Sequence, residues 1–317
     1  MYRFSGKKKQ AKTKVSIRYF GFVVDSIRME RRCMEKSTQP LKNKNDCHPL
    51  ITSRTNPQIL AAAKLSDKKY RRETGSFFFE GWKLFSEARA AGVSITQVFV
   101  TEAAYQKYTD LFADPDFDIF LVTDAVYAKI SAENSPQGIF CLAKTLDNLN
   151  FYHIIDIVGS QLPTIIKGEE KMLICDGLQD PGNLGTILRT ANALGFDRLV
   201  LSGDCADVYN PKVVRAAMGA LFRIRVDITD DIPAYIALLQ KNGYHVHAAA
   251  LTDEAVPLDR LQVSKKTVFV IGNEGHGLSI QTISACDSAV MIPMAEGAES
   301  LNAAIAAALL MWERAKA

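Results

Sequence analysis

The sequence predicts an α/β protein: a parallel sheet with helices on both faces forms the second half, and a small α/β domain precedes it. In the second half, short and almost wholly apolar runs alternate with helical patterns. Strands that are apolar on both faces belong in a parallel sheet between two helix layers. The first half repeats the alternation of helix and strand, which implies a second layered α/β unit. A chain of 317 residues is long enough for both domains.

The charge is unevenly distributed along the chain. Residues 1–46 carry a net charge of +9 and the remainder carries −6, so the net charge of +3 conceals a basic segment. We expect residues 1–46 to be a disordered extension, or sequence upstream of a later start at Met29 or Met34; an RNA-gripping arm is the alternative. Any RNA binding by the body of the protein must come from local patches.

Cysteine usage and hydropathy bear on the compartment. The six cysteines are scattered singly without a CxxC pair, which favours reduced thiols over a disulfide framework or a zinc site. Together with the lack of a secretory signal, this predicts a cytoplasmic protein. The longest apolar run, 303–312, is about half of the roughly 20 residues that a membrane helix requires, so we expect no membrane partner.

The elements of the first domain, 47–148, follow from local periodicity. Apolar residues at helical spacing predict helices at 56–66, 82–91 and 104–112, and runs rich in β-branched and aromatic residues predict strands at 77–79, 97–100, 119–122 and 138–143, the last after a short helix. Residues 149–170 contain Pro163 and Gly168 without strong periodicity, which is typical of a linker.

The second domain, 171–317, gives the clearest strand signals. Apolar runs predict strands at 172–175, 199–201, 246–251, 268–271 and 290–292. Helical patterns between and after them predict helices at 186–194, 211–221, 232–242, 280–285 and 301–316. In such a sheet the ligand lies beyond the carboxyl ends of the strands, so three loops that follow strands deserve inspection.

The first loop, DGLQDPGNLG at 176–185, leads into a predicted helix. Gly182 and Gly185 permit close backbone approach, and we expect Asn183 to cap the helix, whose amino end offers NH groups to an anion. Arg189 lies one turn further on. Taken alone, these residues favour a plain capped helix with a surface arginine.

The second loop, GNEGHG at 272–277, has three glycines in six residues. Such a loop lets a flat adenine or a methionine tail lie against the main chain. A dinucleotide fingerprint would be GxGxxG after the first strand, so an NAD-dependent oxidoreductase is disfavoured. Glu274 and His276 are candidate acids or bases, although loop residues of these types are more often simply solvated.

The third loop, IPMAEGAESLN at 292–302, leads into the alanine-rich last helix. Ser300 is a natural helix cap, and capping alone explains it. Capping does not explain why Asn302 follows this loop of glycine and glutamate.

The three loops in this order resemble the three signature motifs of the SpoU, or TrmH, branch of the SPOUT superfamily of RNA 2′-O-ribose methyltransferases. The motifs are DPGNLGTILRTANALG, VFVIGNEGHGLS and VMIPMAEGAESLNAAIAAA. Residues 206–219 are similar to the family as well. The resemblance covers about 171–317, and the stretch from residue 51 more weakly resembles the family's substrate-binding domain.

The resemblance implies a C-terminal trefoil knot, S-adenosylmethionine as cofactor, and a homodimer formed through the knot region and the last helix. RNA is the implied partner, and the additional first domain favours ribosomal RNA over transfer RNA. A sulfonium donor is already activated, so we expect no metal. A non-catalytic RNA-binding protein on the same scaffold is the alternative, but it would be expected to lack Arg189 or Asn302, and both are present.

Site residues are carried over from the resemblance one by one. It implies Asn183 and Arg189 at the catalytic face, Glu274 in a supporting loop, and Ser300 and Asn302 beside the target ribose. The residues implied in the cofactor pocket are Gly272, Asn273, Gly277, Ile292, Met294 and Leu301. Arg189 could act as a base helped by the adjacent phosphate, or as a cation that pins that phosphate.

A basic segment in the first domain, KLSDKKYRR at 64–72, surrounds one aromatic residue. Lysine and arginine bind phosphates, and an aromatic ring can stack on an unpaired base. A solvated helix face is equally compatible with these residues, and the family resemblance favours RNA. The predicted RNA-binding residues are Arg54, Lys64, Lys68, Lys69, Arg71 and Arg72.

Overall fold

The structure is a computed structural model that describes residues 48–113, 115–152, 168–297 and 300–317. The predicted extension at 1–46 and most of the predicted linker lie outside these residues. Among the described helices, none combines the length and the apolar character that crossing a bilayer requires.

The first domain is built on a mixed five-stranded sheet in the order β1-β4-β3-β5-β2. β1, β4 and β3 are parallel, and β5 pairs antiparallel with both β3 and β2. The strands are β1 (Leu50–Ile51), β2 (Ser76–Glu80), β3 (Ile95–Thr101), β4 (Asp118–Val122) and β5 (Ile139–Lys144). The helices are α1 (Pro57–Lys64), α2 (Lys68–Thr74), α3 (Trp82–Ala90), α4 (Glu102–Lys107) and α5 (Asp124–Ile130).

Both faces of this first sheet are covered, because consecutive residues of β2 point to opposite sides. Phe77 and Phe79 pack into the large core shared with the second domain, whereas Phe78 packs with Phe140 and Phe99 in a separate core under α1 and α5. The predicted small α/β domain is therefore confirmed.

The second domain contains an eight-stranded, wholly parallel sheet in the order β11-β13-β10-β12-β7-β8-β9-β6. The strands are β6 (Leu149–Tyr152), β7 (Met172–Cys175), β8 (Arg198–Ser202), β9 (Arg225–Thr229), β10 (His245–Ala249), β11 (Val256–Pro257), β12 (Thr267–Ile271) and β13 (Ser288–Met291). The helices are α6 (Pro181–Ala193), α7 (Pro211–Ala217), α8 (Ile232–Lys241), α9 (Ile280–Ala285) and α10 (Ala303–Lys316).

Helices cover both faces of this second sheet. Leu184 of α6, Val213 of α7 and Ala307 of α10 belong to one core, and Ile236 and Leu239 of α8 belong to the core on the opposite face. The predicted parallel sheet with two helix layers is confirmed. The knot remains an implication of the family resemblance.

β9 was not predicted, because its centre is charged. Asp227 is fully buried there. It accepts a hydrogen bond from the Tyr235 hydroxyl at 2.6 Å and forms an ion pair with Arg198. Arg198 also donates to Glu170 at 3.0 Å. These charges can be buried only because each is paired. Because the strand carries a charged residue at its centre, its sequence lacks the continuous apolar run that predicts a buried strand. β6, which pairs with β9, occupies residues assigned to the predicted linker.

The helix predicted at 211–221 is interrupted at Met218, the single described non-glycine residue with positive φ, at 49°. Gly219 follows at φ 86°, and residues Ala220–Phe222 form a 3₁₀ turn. A Cβ atom on Gly219 would lie 2.8 Å from the Cβ atom of Glu87 in α3. The break therefore lets the second domain approach the first closely.

The two domains are joined by aromatic and ionic contacts. The Phe77 ring lies 4.6 Å from that of Tyr209, and the Phe79 ring lies 5.5 Å from that of Phe222. Arg223 pairs with Glu87 across the same boundary. These contacts hold the first domain against the loop that follows β8 and against the turn that precedes β9.

Candidate active site

The site lies where the chain leaves neighbouring strands in opposite directions. β7 and β12 are adjacent, and the chain continues from β7 to β8 on one side but from β12 to β13 on the other. A crevice opens at the carboxyl ends of two such strands, and ligands of open α/β sheets bind there. The loops 176–180 and 272–277 border this crevice.

The first loop ends in a capped helix. Asp180 is the N-cap of α6, and its carboxylate accepts from the Asn183 amide at 2.7 Å; Pro181 occupies the first helical position. The predicted cap at Asn183 was therefore wrong by three residues. The Asp-Pro pair is the usual signal for a helix start and identifies Asp180 from sequence. With Asp180 as the cap, the Asn183 side chain is left to contact the other loops.

Glu274 ties the second loop to the first. Its carboxylate accepts from the amides of Gln179 at 3.2 Å and Asp180 at 3.0 Å, and from Nδ2 of Asn183 at 3.0 Å. Partial burial acts to raise the pKa of Glu274, but these hydrogen bonds outweigh it and hold the pKa below its usual value. Glu274 is therefore an ionised anchor, which argues against the acid or base role that the sequence left open.

The third loop joins the same cluster through Asn302. Its Oδ1 atom caps α10 by accepting from the amides of Ala304 and Ile305, at 2.9 and 3.3 Å, and its Nδ2 atom donates to Oδ1 of Asn183 at 3.0 Å. The predicted cap at Ser300 was wrong, because Asn302 takes that position. Ser300 is exposed and lines a shallow polar depression together with Asp180, Asn183, Glu274 and Asn302.

The direction of hydrogen bonding through these three residues, which we call the amide relay (Asn302, Asn183 and Glu274), is fixed by charge. An ionised carboxylate only accepts, so Asn183 must turn its NH₂ group toward Glu274 and its oxygen toward Asn302. Asn302 must then donate with its NH₂ group, which leaves its oxygen to cap α10. Each amide spends one of two N–H donors on the relay.

A cavity of about 450 Å³ lies beside the relay, between β10, β12, β13 and the start of α10. Its lining is mainly apolar, with polar side chains at Asn273, Glu274, His276 and Ser300, which suits an adenosyl and methionyl ligand. A Cβ atom on Gly272 would lie 2.4 Å from the carbonyl carbon of Gly277, so the loop closes this tightly only with glycine. The predicted cofactor residues that line the cavity are Gly272, Asn273, Gly277, Ile292, Met294 and Leu301.

Two contacts that hold the loops together were not predicted. Nδ2 of Asn273 donates to the Gly177 carbonyl at 2.7 Å, while its Oδ1 accepts from the amides of Gly275 and His276. The Thr282 hydroxyl donates to Asp176 at 2.6 Å. Within the described ranges, no group of three or more His, Cys, Asp or Glu side chains is arranged to hold a metal ion.

Arg189 is not part of this cluster. It is exposed on α6, beyond the polar depression that Asp180, Asn183, Glu274, Ser300 and Asn302 share. The structure thus brings four of the five predicted catalytic residues together and leaves Arg189 facing solvent on the same helix as Asn183.

The basic segment divides into one buried and several exposed residues. Arg71 is 4% exposed; its guanidinium donates to the carbonyls of Leu65 and Ser66 at 2.7 and 2.9 Å and to Asp207 of the second domain at 2.5 Å. The predicted role of Arg71 as an exposed phosphate contact is therefore corrected, because both terminal nitrogens of its guanidinium are engaged within the protein. The exposed residues are Arg54, Lys64, Lys68, Lys69 and Arg72.

Comparison with known proteins matches both domains to described families. Residues 170–312 match the SpoU rRNA Methylase family, and residues 56–141 match the MRM3-like substrate binding domain. The chain is 30% identical over 262 residues to the 23S rRNA (guanosine(2553)-2′-O)-methyltransferase RlmP of Bacillus subtilis, covering 83% of this chain and 97% of the relative. The chain belongs to the SpoU rRNA methylase family.

Solved structures agree with this assignment. An AdoMet-bound rRNA methyltransferase from Sinorhizobium meliloti is 28% identical, has a TM-score of 0.71, and is matched over 84% of this chain and 97% of its own. An RNA 2′-O ribose methyltransferase is 26% identical with a TM-score of 0.70, and the match covers 84% of this chain and 98% of its own.

A further sequence relative, the human mitochondrial rRNA methyltransferase 3, is 27% identical over 78% of this chain and 69% of the relative. The predicted family is confirmed, and with it the enzyme class, an RNA 2′-O-methyltransferase that uses S-adenosylmethionine.

Proposed function

We propose that this protein methylates a ribose 2′-hydroxyl of ribosomal RNA at the depression that the amide relay forms. The observation that carries the proposal is the relay itself, which joins residues from three distant loops beside a cavity of cofactor size. The Bacillus relative and the mitochondrial relatives are named as rRNA enzymes, and this favours ribosomal over transfer RNA.

The cofactor would lie in the apolar cavity, against the main chain of Gly272, Ile292 and Leu301. When bound, S-adenosylmethionine supplies a methyl group that is already activated by its sulfonium. The protein's task is then to hold the ribose hydroxyl in line and to favour loss of its proton. Positioning of two reactants contributes about 7–11 kcal/mol at best.

Asn183 and Asn302 perform the positioning. Each has an N–H donor beyond the one it spends in the relay, and both amides are fixed in orientation by Glu274. A donor that is already oriented costs no reorganisation when negative charge develops on the attacking oxygen. Ser300, which lines the same depression, adds a hydroxyl that can donate or accept.

Arg189 acts as a cation that holds an RNA phosphate. It is exposed and lies outside the depression of its own chain, a position suited to the RNA backbone. A guanidinium retains its proton in proteins and binds phosphate in a fork. Of the two roles that the sequence leaves open, we therefore propose the phosphate contact.

The last helix supports a homodimer. Ile305, Leu309 and Trp312 are 52%, 40% and 55% exposed and lie at i, i+4 and i+7, so they form one apolar stripe on α10. A stripe of this kind on a helix that borders the site suits burial against a second copy. Trp312→Glu should convert the dimer to a monomer in analytical ultracentrifugation, and an unchanged mass would remove the stripe from the interface.

The test is transfer of labelled methyl from S-adenosylmethionine into ribosomal and transfer RNA prepared from a strain that lacks the gene, followed by mapping of the modified ribose. Label at one ribosomal ribose is expected. Arg189→Ala should reduce turnover at least about 100-fold while leaving cofactor affinity within about twofold, and Arg189→Lys should recover part of it. Label in transfer RNA alone, or RNA binding without transfer, would select the corresponding alternative.

A further inference from the structure

A second cavity, of about 300 Å³, lies between the two domains; we call it the interdomain cavity. Its floor is formed by Leu201 and Ile228 from β8 and β9, its wall by Ser202, Gly203 and residues 205–209, and its rim by Lys68 and Arg72 of α2. Because Leu201 and Ile228 lie at the carboxyl ends of their strands, the cavity opens at the same edge of the sheet as the active site.

The loop 176–180 lies between the cavity and the active site. The Gly177 amide donates to Oγ of Ser202 at 2.7 Å, and the Ala206 amide donates to the Leu178 carbonyl at 2.8 Å. The loop 176–180 thus contacts the relay on one side, through Glu274, and the cavity wall on the other. The cavity is therefore separated from the relay by this one loop.

The chemistry of the cavity is apolar within and basic at the rim. The rim residues Lys68 and Arg72 are exposed, and the one carboxylate in the lining, Asp207, is already paired with Arg71. Arg71 is buried in the lining, and its Nε atom has no hydrogen-bond partner within the described part of the chain. A ligand that brings a flat apolar ring, a hydrogen-bond acceptor and a negative charge fits all three features.

We propose that the interdomain cavity receives an unpaired nucleotide of the RNA substrate next to the one that is methylated. The base occupies the apolar interior with an acceptor atom toward Arg71, and its phosphate lies between Lys68 and Arg72. Single-stranded RNA is recognised in this way, by enclosing bases and by pairing phosphates with cations. The inference rests on the proposed function, because it takes the RNA from the relay to the cavity.

Gly203 offers a direct means of closing the cavity. It lies in the lining with an ordinary φ, and a Cβ atom there would meet nothing nearer than the Thr229 carbonyl at 3.8 Å. Gly203→Phe therefore adds a ring without a steric clash at Cβ. Ala103→Phe, on an exposed position of α4, is the matched control for added bulk, and Lys83→Glu on α3 is the control for Lys68→Glu.

The experiment photocrosslinks the full-length protein to ribosomal RNA that contains 4-thiouridine, maps the attached peptides, and measures methyl transfer by the same samples. We expect crosslinks in peptides that contain 202–209 or 68–72. Gly203→Phe and Lys68→Glu should each lower these crosslinks and raise the RNA KM at least fivefold with unchanged affinity for S-adenosylmethionine. Circular dichroism checks folding, and Lys68→Glu retains the test if Gly203→Phe does not fold.

Crosslinks elsewhere, or variants that match their controls, would overturn the proposal even though methyl transfer is present. Absent transfer by the wild type with crosslinks in these peptides would instead reject the proposed function and keep the cavity as an RNA site. Uridine and guanosine monophosphates form the last arm. If they bind to the cavity and RNA does not crosslink there, the cavity takes free nucleotides and the proposal fails.

Discussion

The amide relay and the basic segment of α2 differ in how sequence distance relates to position in space. Asn183 is 91 positions from Glu274 and 119 positions from Asn302, yet the three side chains form a continuous chain of hydrogen bonds. Arg71 and Arg72 are adjacent, yet one is buried between the domains and the other is exposed. Residues separated along the chain act together at the relay, and neighbours act separately in α2.

The difference follows from what places each group. The carboxyl ends of parallel strands meet at one edge of a sheet, so topology alone brings the loops of the relay together. On a helix, successive residues are about 100° apart, so the side chain that turns inward is selected by the surface packed against it. For α2 that surface includes Asp207 of the second domain.

Arg71→Met tests the buried side of this comparison and has the largest expected effect. It leaves Asp207 and the carbonyls of Leu65 and Ser66 without their cation, so the free energy of unfolding should fall by about 3–5 kcal/mol. The exposed neighbour is the control, because Arg72→Met should change that free energy by less than about 0.5 kcal/mol. Urea denaturation followed by circular dichroism measures both.

The double variant Arg71→Met with Asp207→Asn removes the unpaired charge and should recover part of the loss. Asp207 also accepts from the Tyr209 amide, which asparagine can still do. Equal stability of the Arg71 and Arg72 variants would mean that α2 presents both guanidinium groups to solvent, and the contrast with the relay would fail.

Asn302→Asp tests the relay and comes second. Aspartate still accepts from the amides of Ala304 and Ile305, so α10 keeps its cap, but the donor to Asn183 is lost. We expect single-turnover methyl transfer to fall by about 100-fold, since loss of one oriented donor typically costs that much. The thermal midpoint should stay close to that of the wild type.

Asn302→Ala, which loses the cap as well, should lower both the transfer rate and the thermal midpoint. Transfer by Asn302→Asp within threefold of the wild type would remove the relay from catalysis.

The same contrast explains which elements and site residues could be predicted from the sequence. Apolar strands such as β7 and β12 were predicted within one residue at each end, because burial on both faces leaves one pattern. β9 escaped prediction because Asp227 and Arg198 compensate each other only in three dimensions. The relay could be anticipated as three meeting loops. The Asp-Pro pair identifies the Asp180 cap from sequence, whereas Asn302 competes with Ser300 for the cap of α10 and only the structure selects it. Whether Arg71 contacts RNA or protein depends on the position of Asp207 in the second domain, which the sequence around Arg71 does not indicate.

Glu274→Gln gives the smallest effect and addresses why the relay has a fixed direction. The pKa of Glu274 is lowered in the folded protein, so its contribution is complete above the usual carboxyl pKa and is lost as the pH falls through the lowered value. Because Glu274 stays ionised over this range, its ionisation should not change the wild-type affinity for S-adenosylmethionine between pH 7.5 and about 5. Glutamine carries an NH₂ group that competes with the Asp180 and Gln179 amides, so its affinity should be about tenfold weaker and should lack the acid-dependent decline. Isothermal titration calorimetry from pH 7.5 to below the usual carboxyl pKa of about 4.3 measures both the weaker binding and the missing decline. If the variant binds as the wild type does at every pH, the charge of Glu274 does not set the orientation of Asn183, and the loop at 272–277 is held by Asn273 and its glycines alone.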